Sequence, residues 1–373
     1  MSTTPLNGAN RFAHIDALRT LAVMLVVFSH AGLGHIIPGG AGVTIFFSIS
    51  GFIITYLLLR EKAKTGRFDI KGFYFRRARK IIPALVITLG IPTLIYAIIV
   101  PIDWAAFAAQ LFFVFNWVSL SGHGPVLPGS QVVWSLSIEE QFYIGFAILW
   151  LITVRARYWR AITIAIATLG IAVPTTLRLT LALQADSSDR IYYGTDTRLD
   201  GIALGMLTAV LFHRWQSGNA RRGKLTRAFG SDWALISACA LILVSLLVRD
   251  AFFRDTFRYS LQSIATCVII TYGLLPGEGM LRRAFFAVSI WKPVASIGLA
   301  SYSIYLVHLV IMSALREPFT FVPLPLSVIT LSAIGVLIGL TVYRFIEVPT
   351  HERWKRKAAK RELAADESAR SSV

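Results

Sequence analysis

The chain has 373 residues, of which 55% are hydrophobic and only 15% are charged, and its mean hydropathy is +0.63. Ordinary soluble domains carry about 25% charged residues, so the composition excludes a soluble globular protein and indicates a helical membrane protein. The net charge is +17. Because the basic residues stand in short loops between apolar runs, this charge favours a topological role, and no nucleic acid partner is predicted.

Apolar runs of about 20 residues, the length that crosses a bilayer, recur along the whole chain. They predict an all-α integral membrane protein, a polytopic bundle of about ten transmembrane helices. We place the spans roughly at residues 16–36, 43–60, 81–101, 137–154, 161–182, 199–213, 232–248, 259–275, 296–315 and 326–346. Residues 1–350 form one predicted membrane domain. Residues 351–373 are predicted to be a basic, disordered cytoplasmic tail, with no fused extracytoplasmic domain.

The distribution of lysine and arginine predicts the orientation. With the N-terminus in the cytoplasm, the inner segments hold about 30 of the 37 basic residues, as the positive-inside rule requires. Both termini are therefore predicted to be cytoplasmic. Segment 105–120 is apolar but breaks the alternation, so we predict a re-entrant or interfacial outer helix. The alternative is a true span with another segment miscounted.

The stretch "RTLAVMLVVFSH" places an arginine and a histidine at the two ends of one predicted span. Arg19 and His30 are eleven residues apart, close to three helical turns, which puts them on one helix face roughly 16 Å apart along the axis. Ionisable groups inside a membrane are costly and tend to be functional. Snorkelling of Arg19 to the inner headgroups and a structural hydrogen bond of His30 are the bland alternatives.

Further polar groups stand at the predicted outer ends of spans. Glu139 and Glu140 begin the fourth span, and we expect one to cap the helix and the other to face inward. Ser301, Tyr305 and His308 form one polar stripe on the ninth span. Together these residues predict a polar cavity in the outer half of the membrane.

"TDTRLDG" opens the sixth span with three charged residues, for which an internal ion pair is the bland interpretation; they are Asp196, Arg198 and Asp200. On the inner side, "FYFRRARKIIP" supplies a basic cluster of four residues, namely Arg76, Arg77, Arg79 and Lys80. The cluster is typical of an orientation signal that also attracts anionic lipid. It equally suits a multiply phosphorylated ligand, because guanidinium groups match phosphate geometry. Two cysteines, Cys239 and Cys267, lack metal or redox spacing and are predicted to be packing residues.

Several motifs in a fixed order resemble acyltransferase family 3, the bacterial integral-membrane O-acyltransferases of surface glycans. The motifs are "IDALRTLAVMLVVFSH", "FFSISGFIIT", "FYFRRARKIIPAL", "WSLSIEEQFY", "GTDTRLDGIALG", "SYSIYLVH" and "YRFIEVP". The resemblance runs from about residue 11 to 350. It implies transfer of an acyl group, usually acetyl, from cytoplasmic acyl-CoA to a hydroxyl of an extracytoplasmic or lipid-linked glycan, in the bacterial inner membrane.

By this resemblance, Arg19 and His30 match the family's arginine–histidine pair, and Arg76 and Arg79 match its basic motif. Some relatives carry a fused esterase-like domain. This chain ends in a short basic tail, so transfer is expected to finish within the membrane domain or on a separate extracytoplasmic partner.

The residues suit this chemistry. A sugar hydroxyl is a poor nucleophile at neutral pH, so a histidine base is needed, and His30 is the candidate. We expect Glu139 or Glu140 to orient His30, and Arg19, Ser50 or Tyr305 to stabilise negative charge. Arg19 and the basic cluster are the candidate acyl-CoA ligands. His308 is a further catalytic candidate, and the acceptor-binding candidates are Asp196, Arg198, Asp200 and Ser50. No metal is predicted.

Two other protein classes would carry the same residue types. A proton-coupled transporter also places His, Glu and Arg in spans, but no inverted repeat is visible. A non-catalytic scaffold would tolerate His30→Ala and Glu139→Gln. Within the enzyme class, the alternatives are a small-molecule or lipo-oligosaccharide acceptor, and succinyl-CoA as the donor.

Overall fold

The computed structural model describes residues 12–184, 187–218 and 223–354. Apart from residues 351–354, which are helical, the predicted disordered tail lies outside the described residues. Within these ranges the chain is a bundle of long helices joined by short connections. In chain order the α-helices are α1 Ala13–Phe28, α2 Gly39–Thr65, α3 Ile70–Leu85, α4 Ile91–Ile99, α5 Trp104–Leu111, α6 Phe115–Ser121, α7 Val133–Thr153, α8 Trp159–Leu181, α9 Ser188–Tyr193, α10 Thr195–Ser217, α11 Lys224–Phe229, α12 Asp232–Leu247, α13 Ala251–Asp255, α14 Phe257–Leu274, α15 Met280–Ile290, α16 Lys292–Ala314 and α17 Leu324–Val342.

The prediction of an all-α integral membrane protein is confirmed. Within the described residues, seven helices are long and apolar enough to cross a membrane by length and composition. Helix α12 is apolar but has only 16 residues, and the more polar α10 and α14 also occupy predicted spans. For these three helices, membrane crossing stays a prediction.

Helices α1, α2 and α16 form the centre of the bundle. Helix α1 packs against both α2 and α16, α2 packs against α10, and α16 packs against α17. Because α1 and α2 are antiparallel, the bundle has two distinct ends. We call the end that carries Arg60, Lys64 and Arg76 the basic end, and the opposite end, which carries His30, the histidine end.

A π-helical turn extends α1 at the histidine end. It spans Ser29–Leu33, includes His30, and contains Gly32 with a φ of +125°. Only glycine adopts this φ without strain. An added Cβ at this position would also touch the side chain of Leu324 in α17. The turn therefore fixes where α1 ends and how His30 is presented, and π-turns of this kind are frequent at functional sites.

Residues 105–120 form two short helices, as the prediction of a non-spanning segment requires. Helix α5 has 8 residues and α6 has 7, which is too short to cross a bilayer. Asp103 caps α5 by accepting hydrogen bonds from the backbone N–H groups of Ala106 and Gly124. These donors hold the pKa of Asp103 below its usual range, which keeps the cap ionised.

The prediction for the cysteines is half right. Cys267 is buried in α14, but Cys239 is exposed on α12. Helix α12 buries only a narrow face, which includes Ala238 and Ser245. The other faces of this helix lie on the outside of the bundle, so an apolar run did not imply that each of its residues packs in the core.

Candidate active site

A cavity of about 1380 Å³ opens at the basic end and penetrates the bundle between α2, α3, α7 and α16. It exceeds the roughly 300–1,000 Å³ of ordinary small-molecule pockets, so it has room for an elongated molecule. Its lining includes Arg19, Ser50, Glu139 and Tyr305, all of which the sequence had marked as candidates. The sequence placed these residues around a cavity in the half of the bundle that holds His30, whereas the cavity that they line opens at the basic end.

Three of the four residues of the α3 basic cluster line the cavity, and the fourth does not. Arg76, Arg77 and Lys80 line the cavity, as expected for a ligand site. Arg79 does not belong to this lining, because its guanidinium lies over the rings of Phe75 and Trp354 at 5.2 and 6.0 Å. The expected role of Arg79 in binding a ligand in this cavity is not supported by its position.

Two of the α3 arginines are already paired with carboxylates. Arg77 donates to Glu140 at 2.7 Å, and its guanidinium lies 3.2 Å from the ring centroid of Tyr143. Arg76 pairs with Glu61 at 3.4 Å and approaches Asp69 at 4.0 Å. Lys80 projects into the cavity, where its strongest electrostatic neighbour is Arg19.

The predicted polar stripe on α16 is confirmed. Arg19 donates its Nε–H to Ser301 Oγ at 3.1 Å, and Tyr305 donates its hydroxyl to the backbone carbonyl of Val132 at 3.0 Å. The Tyr305 hydroxyl also shares a hydrogen bond with Ser135 Oγ, 2.6 Å away. Tyr305 lines the deep end of the cavity, whereas His308 is fully buried one turn further on.

His30 and His308 form a dyad. Nδ1 of His30 lies 2.9 Å from Nε2 of His308, and the two rings stack with centroids 5.2 Å apart. Nδ1 of His308 lies 2.8 Å from the carbonyl oxygen of Tyr305. A carbonyl only accepts hydrogen bonds, so Nδ1 of His308 carries the proton, and Nε2 of the neutral ring must accept one.

The dyad therefore assigns a tautomer to His30. Its Nδ1 donates to His308, which leaves the lone pair on Nε2. His30 is exposed at the histidine end, so this nitrogen is available to an incoming hydroxyl. A neutral imidazole held with a free nitrogen and a fixed N–H is the arrangement of a general base.

The expectation that Glu139 or Glu140 orients His30 is wrong. Glu140 pairs with Arg77, and Glu139 accepts from Tyr143 at 3.1 Å, with Ser50 as a second hydrogen-bond partner. Nor does either glutamate cap a helix, because α7 begins at Val133, well before both. The cavity-facing glutamate is Glu139, and the residue that orients His30 is His308.

The interpretation of "TDTRLDG" as an internal ion pair is also wrong, because each of its three charged residues pairs with a residue outside the motif. Asp196 binds Arg190 through both carboxylate oxygens, at 2.8 and 2.5 Å. Asp200 accepts from the fully buried Arg178 at 2.8 Å. Arg198 donates to Thr44 at 3.1 Å and lies 3.8 Å from the ring centroid of Tyr259. These contacts tie α10 to α2, α8, α9 and α14, and none of the three residues lines the cavity.

Sequence reasoning did not single out some residues of the site. Arg60 and Lys64, near the end of α2, line the cavity, and their i, i+4 spacing on one helix was a usable signal. Glu347 accepts from Ser303 at 3.0 Å and belongs to the motif "YRFIEVP". Among the described residues, no group of three or more His, Cys, Asp or Glu side chains could hold a metal ion.

The family model described as an acyltransferase domain matches residues 12–344. The chain belongs to acyltransferase family 3. Its relatives include the protein named "Putative O-acetyltransferase SACOL0978" of Staphylococcus aureus (strain COL), which is 30% identical over 354 residues, 90% of this chain and 56% of the relative. O-acetyltransferase OatA of S. aureus (strain NCTC 8325 / PS 47) is 30% identical over 357 residues, 91% of this chain and 57% of the relative.

The chain thus spans slightly more than half the length of these curated relatives. No solved structure matches the chain. The matched region contains the cavity, the polar stripe of α16 and the histidine dyad, so the family membership and the geometry concern the same part of the molecule.

Proposed function

We propose that this protein transfers an acyl group, in the simplest case acetyl, from acyl-CoA to a hydroxyl of a glycan or lipid-linked saccharide on the other side of a bacterial inner membrane. One observation carries the proposal. A large cavity leads from the basic end to Tyr305, and His308, the buried member of the histidine dyad, lies one helical turn beyond Tyr305.

The donor is proposed to enter at the basic end, with its phosphates among the cations and its acyl thioester directed toward Tyr305. By the positive-inside rule this end and both termini are cytoplasmic, where acyl-CoA is made. The position of Arg19 favours a role in binding the donor over a role in stabilising charge near His30. Its partner Ser301 lies seven residues before His308, about 10 Å along the helix.

The reaction then follows from the tautomer of His30. Nε2 takes the proton of the acceptor hydroxyl while the oxygen attacks the thioester carbonyl. A C–O ester bond forms, the C–S bond breaks, and CoA leaves as a thiolate. The positive charge on His30 is shared with His308 through the Nδ1–H bond. General-base assistance of this kind is worth about 10²–10⁴ in rate.

The test uses inside-out membrane vesicles that contain the protein and acetyl-CoA labelled on the acetyl group. We expect label on a lumenal glycan or lipid-linked acceptor with the wild type, and a loss of at least about 100-fold with His30→Ala. His35→Ala is the matched control, because His35 is an exposed histidine at the same end. Residual transfer by His30→Ala near the wild-type rate would exclude His30 as the base.

The same vesicles separate the rival functions. Transfer from succinyl-CoA but not acetyl-CoA would correct the acyl group. A product on a soluble small molecule would correct the acceptor. No transfer from any acyl-CoA, combined with substrate uptake that depends on a proton gradient, would favour a transporter instead.

A further inference from the structure

The mouth of the cavity holds two cations that no carboxylate neutralises within the described chain. Arg60 and Lys64 lie one turn apart near the end of α2, and both line the cavity. The guanidinium of Arg60 lies 5.8 Å from the ring centroid of Tyr56, another lining residue. Their positive charge is therefore available to a ligand in the mouth.

The other cations near the mouth are already engaged. Arg77 is held by Glu140 and Tyr143, and Arg76 shares its charge with Glu61 and Asp69. Lys62, which lies between Arg60 and Lys64, donates to the backbone carbonyl of Val154 and lies over the ring of Trp159. The α3 cluster predicted to bind phosphate is thus partly neutralised. Its remaining cavity cation, Lys80, lies beside Arg19, so the free charge at the mouth belongs to α2.

The position of the two cations selects one part of the donor. Arg60 lies near the end of α2. Phe46 lies fourteen residues earlier on the same helix, and its ring is 6.1 Å from that of Tyr305. This separation is about 21 Å along the helix. In acyl-CoA the acyl thioester and the ribose 3′-phosphate lie at opposite ends of an elongated molecule. A thioester at Tyr305 leaves the 3′-phosphate at the mouth.

We propose that Arg60 and Lys64 form a phosphomonoester subsite that recognises the 3′-phosphate of the acyl-CoA donor. This inference rests on the proposed function. A phosphomonoester carries about −1.5 to −2 charges at pH 7, which matches two unpaired cations. The planar guanidinium supplies directional donors and the ammonium supplies a mobile point charge.

The competing explanation is that both cations serve only the membrane or the helix. Basic residues in the last turns of a helix interact favourably with its dipole, and basic residues near a bilayer attract anionic headgroups. Neither role distinguishes CoA from 3′-dephospho-CoA, which lacks only the 3′-phosphate. The pair of ligands therefore isolates the proposed contact.

The experiment measures Kd for CoA and for 3′-dephospho-CoA by calorimetry, with the full chain in phosphatidylcholine nanodiscs. The test variant is R60Q/K64Q. The control is R67Q/K71Q, which removes the same charge from exposed residues of the basic end that do not line the cavity. We expect the test variant to bind CoA about 10-fold more weakly, as two partly exposed charge contacts predict, with dephospho-CoA affinity and the control unchanged.

Several outcomes would overturn the inference. They are an unchanged CoA affinity in R60Q/K64Q, equal weakening of both ligands, and an equal loss in R67Q/K71Q. Loss of the effect when phosphatidylglycerol is added to the nanodiscs would assign the cations to lipid headgroups. Wild-type protein that binds neither ligand would instead overturn the proposed acyl-CoA donor, so the two failures are distinguishable.

Discussion

At the scale of single residues, the proposed chemistry depends on a hydrogen bond between two histidines that are 278 positions apart in the chain. Both ring nitrogens of His308 are hydrogen-bonded, because Nδ1 donates to backbone carbonyls and Nε2 accepts from His30. In the proposed mechanism it acts on His30 by fixing the orientation of that ring and the position of its proton. His308 is there a positioning residue, and His30 is the group proposed to meet the acceptor.

This division of roles predicts different results for two substitutions at position 308. His308→Ala removes the acceptor for the N–H of His30, and we expect acyl transfer to fall by about 10²–10⁴ because the base loses its tautomer and orientation. His308→Gln supplies a side-chain carbonyl that accepts the same hydrogen bond, and we expect it to recover at least 10-fold over Ala. The measurement is the initial rate of labelled acetyl transfer at matched expression.

A purely structural role for His308 would give another result. Gln and Ala would then lower activity and the unfolding temperature together, without selective recovery of rate by Gln. CoA affinity provides the control, because the dyad does not line the cavity proposed to hold the donor.

The residues of the site could be predicted from the sequence far better than their partners. Arg19, His30 and His308 stood out because charged and imidazole groups in apolar runs are costly. The partner of His30 did not, because every candidate lies on a distant helix and a carboxylate is the usual partner of a catalytic histidine. Glu140 instead pairs with Arg77, whose side chain is only 18% exposed. A largely buried guanidinium needs a carboxylate partner.

At the scale of helices, the bundle depends on glycines that let backbones approach closely. Gly51 of α2 faces the carbonyl oxygen of Ile202 in α10, and Gly205 of α10 faces the carbonyl oxygen of Ser48 in α2. A side chain at either position would meet the backbone of the other helix. Small residues are the usual means of close packing between membrane helices, and α2 forms one wall of the cavity.

We therefore expect Gly51→Ala and Gly205→Ala to force α2 away from α10 and to destabilise the protein by about 1–3 kcal/mol each, as overpacking typically does. Gly145→Ala is the matched control. An added Cβ there has no neighbour within 4 Å, and alanine favours the helix by up to about 1 kcal/mol over glycine. The measurement is the free energy of unfolding in detergent. Wild-type stability in both test variants would show that the interface relaxes freely.

The helices themselves were predictable because their signal is local. Each long apolar run became a helix, and segment 105–120 was correctly separated from the spans. Boundaries shifted where local rules were insufficient. Helix α7 begins at Val133, four residues before the predicted span, because residues Ser130–Val132 form a short 3₁₀ turn that leads directly into it.

At the scale of the whole molecule, the proposed function requires the two ends of the bundle to face different compartments. The cavity proposed to hold the donor opens at the basic end, whereas His30 is exposed at the histidine end. The antiparallel order of the helices gives the bundle two different ends, and the positive-inside rule predicts which of them faces the cytoplasm. An enzyme with both substrates on one side of the membrane would not need a path of this length.

Sidedness is tested with single cysteines in a chain whose native cysteines are replaced by Cys239→Ser and Cys267→Ala. Lys71→Cys marks the basic end and Ser121→Cys marks the histidine end, both at exposed positions. In intact cells, we expect an impermeant maleimide to label Ser121→Cys, and to label Lys71→Cys only after permeabilisation. The cysteine-free chain is the control. Labelling of Lys71→Cys in intact cells would place the donor cavity outside the cytoplasm, where acyl-CoA is absent, and the proposed donor would then have to be abandoned.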